Sequence, residues 1–185
     1  MAAVATFALI QLRAAIDGAN ASASPASPGI AKGAPAPAIT GLTLDGTPFD
    51  LASLRGRPVL VNFWGPSCVP CRDEFPLFKT LLQRHAGDDL AIVGILMGDP
   101  PAPAMDFIAQ YGATWPTVVD PTKALVSAYR VAARPQTYFI DRDGILRSIQ
   151  VGQLTDAEFE RQFALISGAA AGPTPAATTG PTTGQ

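Results

Sequence analysis

The sequence predicts an α/β fold with a mixed central sheet, helices on both faces and an N-terminal β-hairpin extension. Three observations predict it. Apolar runs of strand length alternate with segments of helical periodicity along the chain. The last two runs, Gln136 to Ile140 and Ile145 to Val151, are joined by the turn cluster Asp141-Arg142-Asp143-Gly144, which makes them a hairpin. An earlier hairpin signal, Asp45-Gly46, separates Ile39 to Leu44 from Pro48 to Leu51 ahead of the first long apolar run.

In chain order, Ser53-Leu54-Arg55-Gly56 reads as a short helical turn after that hairpin. Val59 to Trp64 is apolar apart from Asn62, the pattern of a central strand covered on both sides. A helix is predicted from Cys68 to His85, with Phe75, Phe78, Leu81 and Leu82 as its core face. Pro76 lies inside it and is expected to kink it, because the ring removes a backbone donor. Leu90 to Met97 reads as the next buried strand, Pro103 to Tyr111 as a helix, Thr117 to Val119 as a short strand and Thr122 to Tyr129 as a helix. The final helix, Thr155 to Ile166, opens on Thr155 and Glu158, the spacing of a capping box.

The chain has 185 residues with a formal net charge of −2, and 48% of them are apolar, enough for one substantial core. Its basic residues form no run or aromatic-interleaved patch, so no nucleic-acid surface is expected. Ala2 to Leu12 is too short to span a bilayer as a helix. It has the character of the apolar part of a secretory signal, followed by small residues at Ala19-Asn20-Ala21 and Ala21-Ser22-Ala23, although Arg13 follows the run and no basic residue precedes it. Residues 1–16 are therefore assigned as a signal or anchor remnant. Residues 17–34, rich in Ala, Ser, Pro and Gly, read as a flexible linker, and 169–185 as a disordered tail, leaving 35–168 as the folded unit.

The two cysteines stand in Cys68-Val69-Pro70-Cys71, and the chain has one histidine, too few ligands for a four-coordinate zinc site. A disulfide this short restrains little chain entropy, so the value of the pair is chemical. A buried strand delivers Cys68 through Gly65-Pro66 to a predicted helix start. Unpaired N–H groups and partial positive charge at that terminus favour a thiolate, which makes Cys68 the expected attacking sulfur. Ser67 is expected to cap the helix. Cys71, one turn deeper, would resolve the mixed disulfide. His85, near the end of the helix, reads as a surface residue that suits a helix C-terminus.

These residues resemble a known family. Pro58-Val59-Leu60-Val61-Asn62-Phe63-Trp64, Cys68-Val69-Pro70-Cys71-Arg72-Asp73-Glu74-Phe75-Pro76 and Pro135-Gln136-Thr137-Tyr138-Phe139-Ile140-Asp141 with Asp143-Gly144 match the thioredoxin-like TlpA/ResA/CcmG group of extracytoplasmic thiol–disulfide oxidoreductases. The resemblance covers about residues 35–166 and implies a thioredoxin fold. It implies that Pro135 is a cis-proline beside the disulfide, with the Arg134 backbone able to pair with an extended substrate and its side chain adding positive charge near the sulfurs. It also implies that Glu74 moves protons to and from Cys71, since Asn62 stands where thioredoxins carry an acid and cannot do so; partial burial would raise its pKa. Asp73 is expected to be solvated. Trp64 is expected to pack near the disulfide and shape the surface around it. Pro70, with Val69, matches the reducing members. Ser67, where the group has an aromatic residue, and Gly65-Pro66 depart from the pattern and put the partner, more than the chemistry, in question.

The implied protein is a monomeric extracytoplasmic oxidoreductase, exported or membrane-anchored, that needs no cofactor beyond the Cys68–Cys71 disulfide and no metal. Its expected partners are protein disulfides or dithiols, such as apocytochrome c or copper-site thiols, and a membrane thiol transporter of the DsbD/CcdA kind as electron donor. Two alternatives stand beside it. A peroxiredoxin-like thiol peroxidase would carry a hydroxyl residue three positions before its reactive cysteine, where this chain has Gly65. A Cu(I)-binding assembly protein would use both thiolates, but Met97 and Met105 read as core or loop residues and not as further ligands.

Overall fold

The computed structural model describes residues 30–168. The predicted signal remnant, most of the linker and the C-terminal tail lie outside the described residues. A hairpin of β1 (Thr40–Leu42) and β2 (Pro48–Asp50) turns at Gly46, whose φ of 82° is a conformation that favours glycine. A 3₁₀ turn, Leu51–Leu54, follows. The remaining elements are β3 (Val59–Trp64), α1 (Val69–Arg84), β4 (Ala91–Leu96), α2 (Pro101–Tyr111), β5 (Thr117–Val119), α3 (Ala124–Ala128), β6 (Gln136–Ile140), β7 (Leu146–Val151) and α4 (Asp156–Phe163).

The main sheet has the order β5-β4-β3-β6-β7. β3 is parallel to β4 and antiparallel to β6, so the sheet is mixed, as the alternation predicts. All six residues of β3 are buried. Its period of two sends Leu60 and Trp64 to one face with Phe75, Phe78 and Leu81 of α1, Phe107 of α2 and Phe159 and Phe163 of α4. Val59, Val61 and Phe63 face the other side with Tyr129, Tyr138 and Ile140, where the hairpin and α3 add cover. Burying each large side chain contributes roughly 1.5–3 kcal/mol, so these two layers dominate the stability of the domain.

The helix around Pro76 runs unbroken from Val69 to Arg84. The helix read from Thr122 to Tyr129 is shorter, spanning Ala124–Ala128. His85 is not the surface residue expected. Its side chain is 12% exposed, its ring lies 4.2 Å from that of Phe163, and its two nitrogens face Asp88 at 3.0 Å and Glu160 at 3.2 Å. The last helix places Phe159 and Phe163 against it, a contact between distant segments that helix periodicity alone cannot reveal.

Both sheet edges are partly covered. Leu44 N donates to Thr117 O at 2.8 Å, which fastens the hairpin beside β5. At the other edge, Gly33 N donates to Leu146 O and Leu146 N donates to Ala34 O, so the end of the predicted linker pairs with the start of β7. Such pairing protects an edge that would otherwise offer free N–H and C=O groups.

The capping box of α4 forms: Glu158 N donates to Thr155 Oγ1 at 3.3 Å and Thr155 N donates to Glu158 Oε2 at 2.9 Å. Thr155→Ala is expected to destabilise the domain by about 1 kcal/mol, read as a lower urea midpoint at unchanged slope. Among the described residues no helix is long and apolar enough to cross a membrane.

Candidate functional site: a disulfide at the start of a helix

Cys68 and Cys71 are joined as a disulfide, with their Cα atoms 5.3 Å apart. β3 ends at Trp64, and the turn through Gly65-Pro66-Ser67 brings Cys68 to the N-cap of α1. The cap is Cys68 itself, not Ser67 as expected. Its extended backbone (φ −89°, ψ 107°) lets Sγ accept the N–H of Cys71 at 3.3 Å. Pro70, at the second helical position, has no N–H to offer, so the donor aimed at this sulfur is the amide of Cys71. The Ser67 hydroxyl instead accepts from Arg134 Nη2 at 2.8 Å.

The two sulfurs are not equivalent. Cys68 retains 9% exposure and Cys71 none. A sulfur that accepts a helix N–H and reaches solvent is the one equipped to attack; a sealed one can react only with its neighbour. The Arg134–Pro135 peptide is cis and brings the Arg134 carbonyl to 3.6 Å from Cys68 Sγ.

Glu74 lies one turn after Cys71 and is buried, 1% exposed. Oε1 accepts from Asn62 Nδ2 at 2.9 Å, and Oε2 accepts from the Leu154 N–H at 3.3 Å. The second Asn62 hydrogen goes to Thr137 Oγ1 at 2.9 Å, across the β3–β6 register that pairs these two residues. Burial pushes the Glu74 carboxyl up to about 8, against the opposing pull of the Leu154 and Asn62 hydrogen bonds. The carboxyl can therefore change protonation near neutral pH. Asp73, beside it, is exposed as expected.

Trp64 is fully buried and cannot shape the outer surface, contrary to that part of its expected role. It packs beneath the disulfide in the same core layer as Cys71, with its ring 4.6 Å from Phe75. Val69, between the cysteines, is 62% exposed and leaves an apolar rim beside Cys68. The Arg134 guanidinium does not stand free near the sulfurs. Nη1 donates to Asp99 Oδ2 at 2.8 Å and to the Met97 carbonyl. Sequence reasoning missed Asp99, Thr137 and the Leu154 amide. Asp99 had one available signal, since it follows the C-terminal end of a strand adjacent to β3, where α/β sheets gather functional groups.

The profile of the AhpC/TSA family matches residues 32–149. The thiol–disulfide oxidoreductase ResA of Geobacillus kaustophilus is 31% identical over 137 residues, covering 74% of this chain and 79% of that protein. The chain belongs to the AhpC/TSA family and, within the thioredoxin fold, to the ResA-like thiol–disulfide oxidoreductases. A thiol:disulfide interchange protein of the thioredoxin family from Chlorobium tepidum superposes with a TM-score of 0.68 at 29% identity, over 75% of this chain and 99% of that one. A secreted Mycobacterium tuberculosis disulfide oxidoreductase homologous to E. coli DsbE gives a TM-score of 0.61 at 26% identity, over 68% of this chain and 94% of that one.

As a member of the ResA-like group, this chain is an enzyme of thiol–disulfide exchange, and its redox element is the Cys68–Cys71 disulfide. Among the described residues no three His, Cys, Asp or Glu side chains gather to hold a metal ion.

Proposed function

We propose that this oxidoreductase reduces disulfides of proteins outside the cytoplasm, acting as a monomer that is exported or anchored to the membrane. The observation that carries the chemistry is the asymmetry of the pair: Cys68 caps α1 and reaches solvent, and Cys71 is sealed beneath it. In the reduced enzyme the Cys68 thiolate attacks a substrate disulfide, forming a mixed disulfide and expelling one substrate thiolate. Cys71, deprotonated by the Glu74 carboxylate, then attacks Cys68 Sγ and expels the second. The substrate gains two electrons and the enzyme is left as the Cys68–Cys71 disulfide. Val69 and the Arg134 backbone form the apolar and hydrogen-bonding rim on which an extended substrate docks. Trp64, Pro70 and Pro135 hold that rim and the sulfurs in place.

Substrates of this kind are the disulfides of an apocytochrome c or of a copper site, whose cysteines must be thiols before the cofactor is attached. A membrane thiol transporter of the DsbD/CcdA kind would return the electrons. The extracytoplasmic setting is supported by the Ala2–Leu12 segment and by the secreted relative from Mycobacterium tuberculosis. Gly65, three residues before Cys68, has no hydroxyl to orient a peroxide and weighs against the thiol peroxidase alternative.

The direction of electron flow is tested by the reduction potential of the Cys68–Cys71 couple in glutathione buffers. The expected value lies below that of the glutathione pool. A value near the roughly −120 mV of a strong oxidant would reverse the proposed direction and leave the exchange chemistry intact.

A further inference from the structure

Arg134 meets the active-site sulfur with its backbone, and its side chain is held by an acid that the exchange steps above do not use. Nη1 donates to Asp99 Oδ2 at 2.8 Å and Nη2 to Ser67 Oγ at 2.8 Å, and the Ser67 amide donates to Asp99 Oδ2 at 3.2 Å. The two charged side chains are 24% and 10% exposed, so solvent screens the pair only in part. Burial by itself would raise the Asp99 carboxyl, but the Ser67 hydrogen bonds and the Arg134 charge outweigh it and hold the group below its ordinary value. The carboxyl is therefore ionised at neutral pH, and with the guanidinium beside it the pair carries no net charge.

The space for this pair is cut into the backbone. A Cβ on Gly65 would collide with both Asp99 Oδ2 and Arg134 Nη1, and one on Gly98 would lie 3.4 Å from Arg134 Nη1. Gly65 belongs to the turn that carries Cys68, so the absence of its side chain and the presence of the pair are one feature. The other charged residues near the rim, Arg72 and Asp73 on α1, are exposed to solvent, and Glu74 is buried on the inner side.

A guanidinium hydrogen-bonded to Ser67 stands one residue from Cys68. Unopposed, it would favour the Cys68 thiolate; an unopposed carboxylate there would disfavour it. We propose that Asp99 is a positioning residue that neutralises Arg134 beside the attacking sulfur, in a niche kept open by Gly65, and thereby sets how readily Cys68 ionises. The inference rests on the reading of Cys68 as the attacking thiol.

The test is the pH dependence of Cys68 alkylation by iodoacetamide, which is uncharged, in the full chain carrying Cys71→Ser, so that a single thiol titrates. Asp99→Asn preserves the shape and the acceptor, and is expected to lower the Cys68 pKa by about 0.5, an approximately threefold gain in the thiolate-to-thiol ratio. Arg134→Met is expected to raise it by a similar amount. The double variant is expected to return close to the parent, as is Arg134→Lys, which keeps a cation for Asp99. Opposite signs in the two single variants are the signature of a charge pair, because a merely loosened turn moves both in one direction. Shifts of the same sign, or none in either, would overturn the inference. If the parent Cys68 itself proves unreactive or ordinary in acidity, the reading of the attacking thiol falls; if it is acidic but indifferent to both substitutions, only the role of Asp99 does.

Discussion

Cys71→Ser is expected to abolish turnover and to accumulate proteins joined to Cys68 by a disulfide. The expectation follows from burial. Cys68 keeps 9% of its surface exposed and its Sγ accepts the helix N–H, so it still attacks when its partner is replaced. Cys71 Sγ is the nucleophile placed to release that intermediate, and a serine hydroxyl, with a pKa far above any working pH, does not replace it. Cys68→Ser should also abolish turnover but should trap nothing, because the remaining sulfur is fully buried. The contrast is read on non-reducing gels of cell extract, with reductant collapsing the adducts and mass spectrometry naming the partner. Adducts that form only in Cys68→Ser would reverse the two roles.

The second large effect is expected at Glu74. Its pKa is raised from 4.5 in the unfolded chain to about 8 in the folded one. Between these values the folded state holds a proton that the unfolded state has released, so stability falls as pH rises. The contribution is fully present below pH 4.5 and is lost as pH climbs through 8. At ~1.4 kcal/mol per pH unit the span is on the order of 5 kcal/mol. Glu74→Gln removes the titration while keeping the shape. It should therefore gain on the parent from pH 5 to about pH 8 and level off above it, in urea unfolding of the oxidised protein, whatever fixed penalty its amide suffers against the Leu154 N–H. Parallel stability curves would show that the buried carboxyl does not titrate in this range. The same ionisation governs the resolving step: the rate of mixed-disulfide release should rise through about pH 8 in the parent, and that inflection should vanish in Glu74→Gln.

Much of this site is legible in the sequence because it is local. The cysteine spacing, the strand before it and the apolar face of Phe75, Phe78 and Leu81 all lie within a few turns of chain, and periodicity places them. Glu74 sits one turn from Cys71, so its position on the inner face follows from the same helix. What periodicity cannot supply is contact between distant segments. The Arg134–Asp99 pair joins residues 35 positions apart across two loops, and the hydrogen bonds to Glu74 come from a strand amide and from the peptide of Leu154, 80 residues away. His85 was misread for the same reason: its cover is α4. Ser67 was misread because hydroxyl residues are the usual helix caps, whereas here the extended backbone of Cys68 lets a sulfur take the place of an oxygen. The pairing of residues 33–36 with Gly144, Ile145 and Leu146 leaves no mark in side-chain chemistry, since it is made by the backbone alone.

The amide that holds Glu74 Oε2 belongs to Leu154, and the next residue, Thr155, closes the cap of the final helix. Two successive peptide units thus moor the C-terminal helix and the proton reservoir of the redox centre to a common point. Unravelling that helix would let water reach the carboxyl and return it toward ordinary acidity, silencing the acid–base partner while both sulfurs stayed where they are. The last helix, which lends no atom to electron transfer, is in this sense the cork of the catalytic chamber.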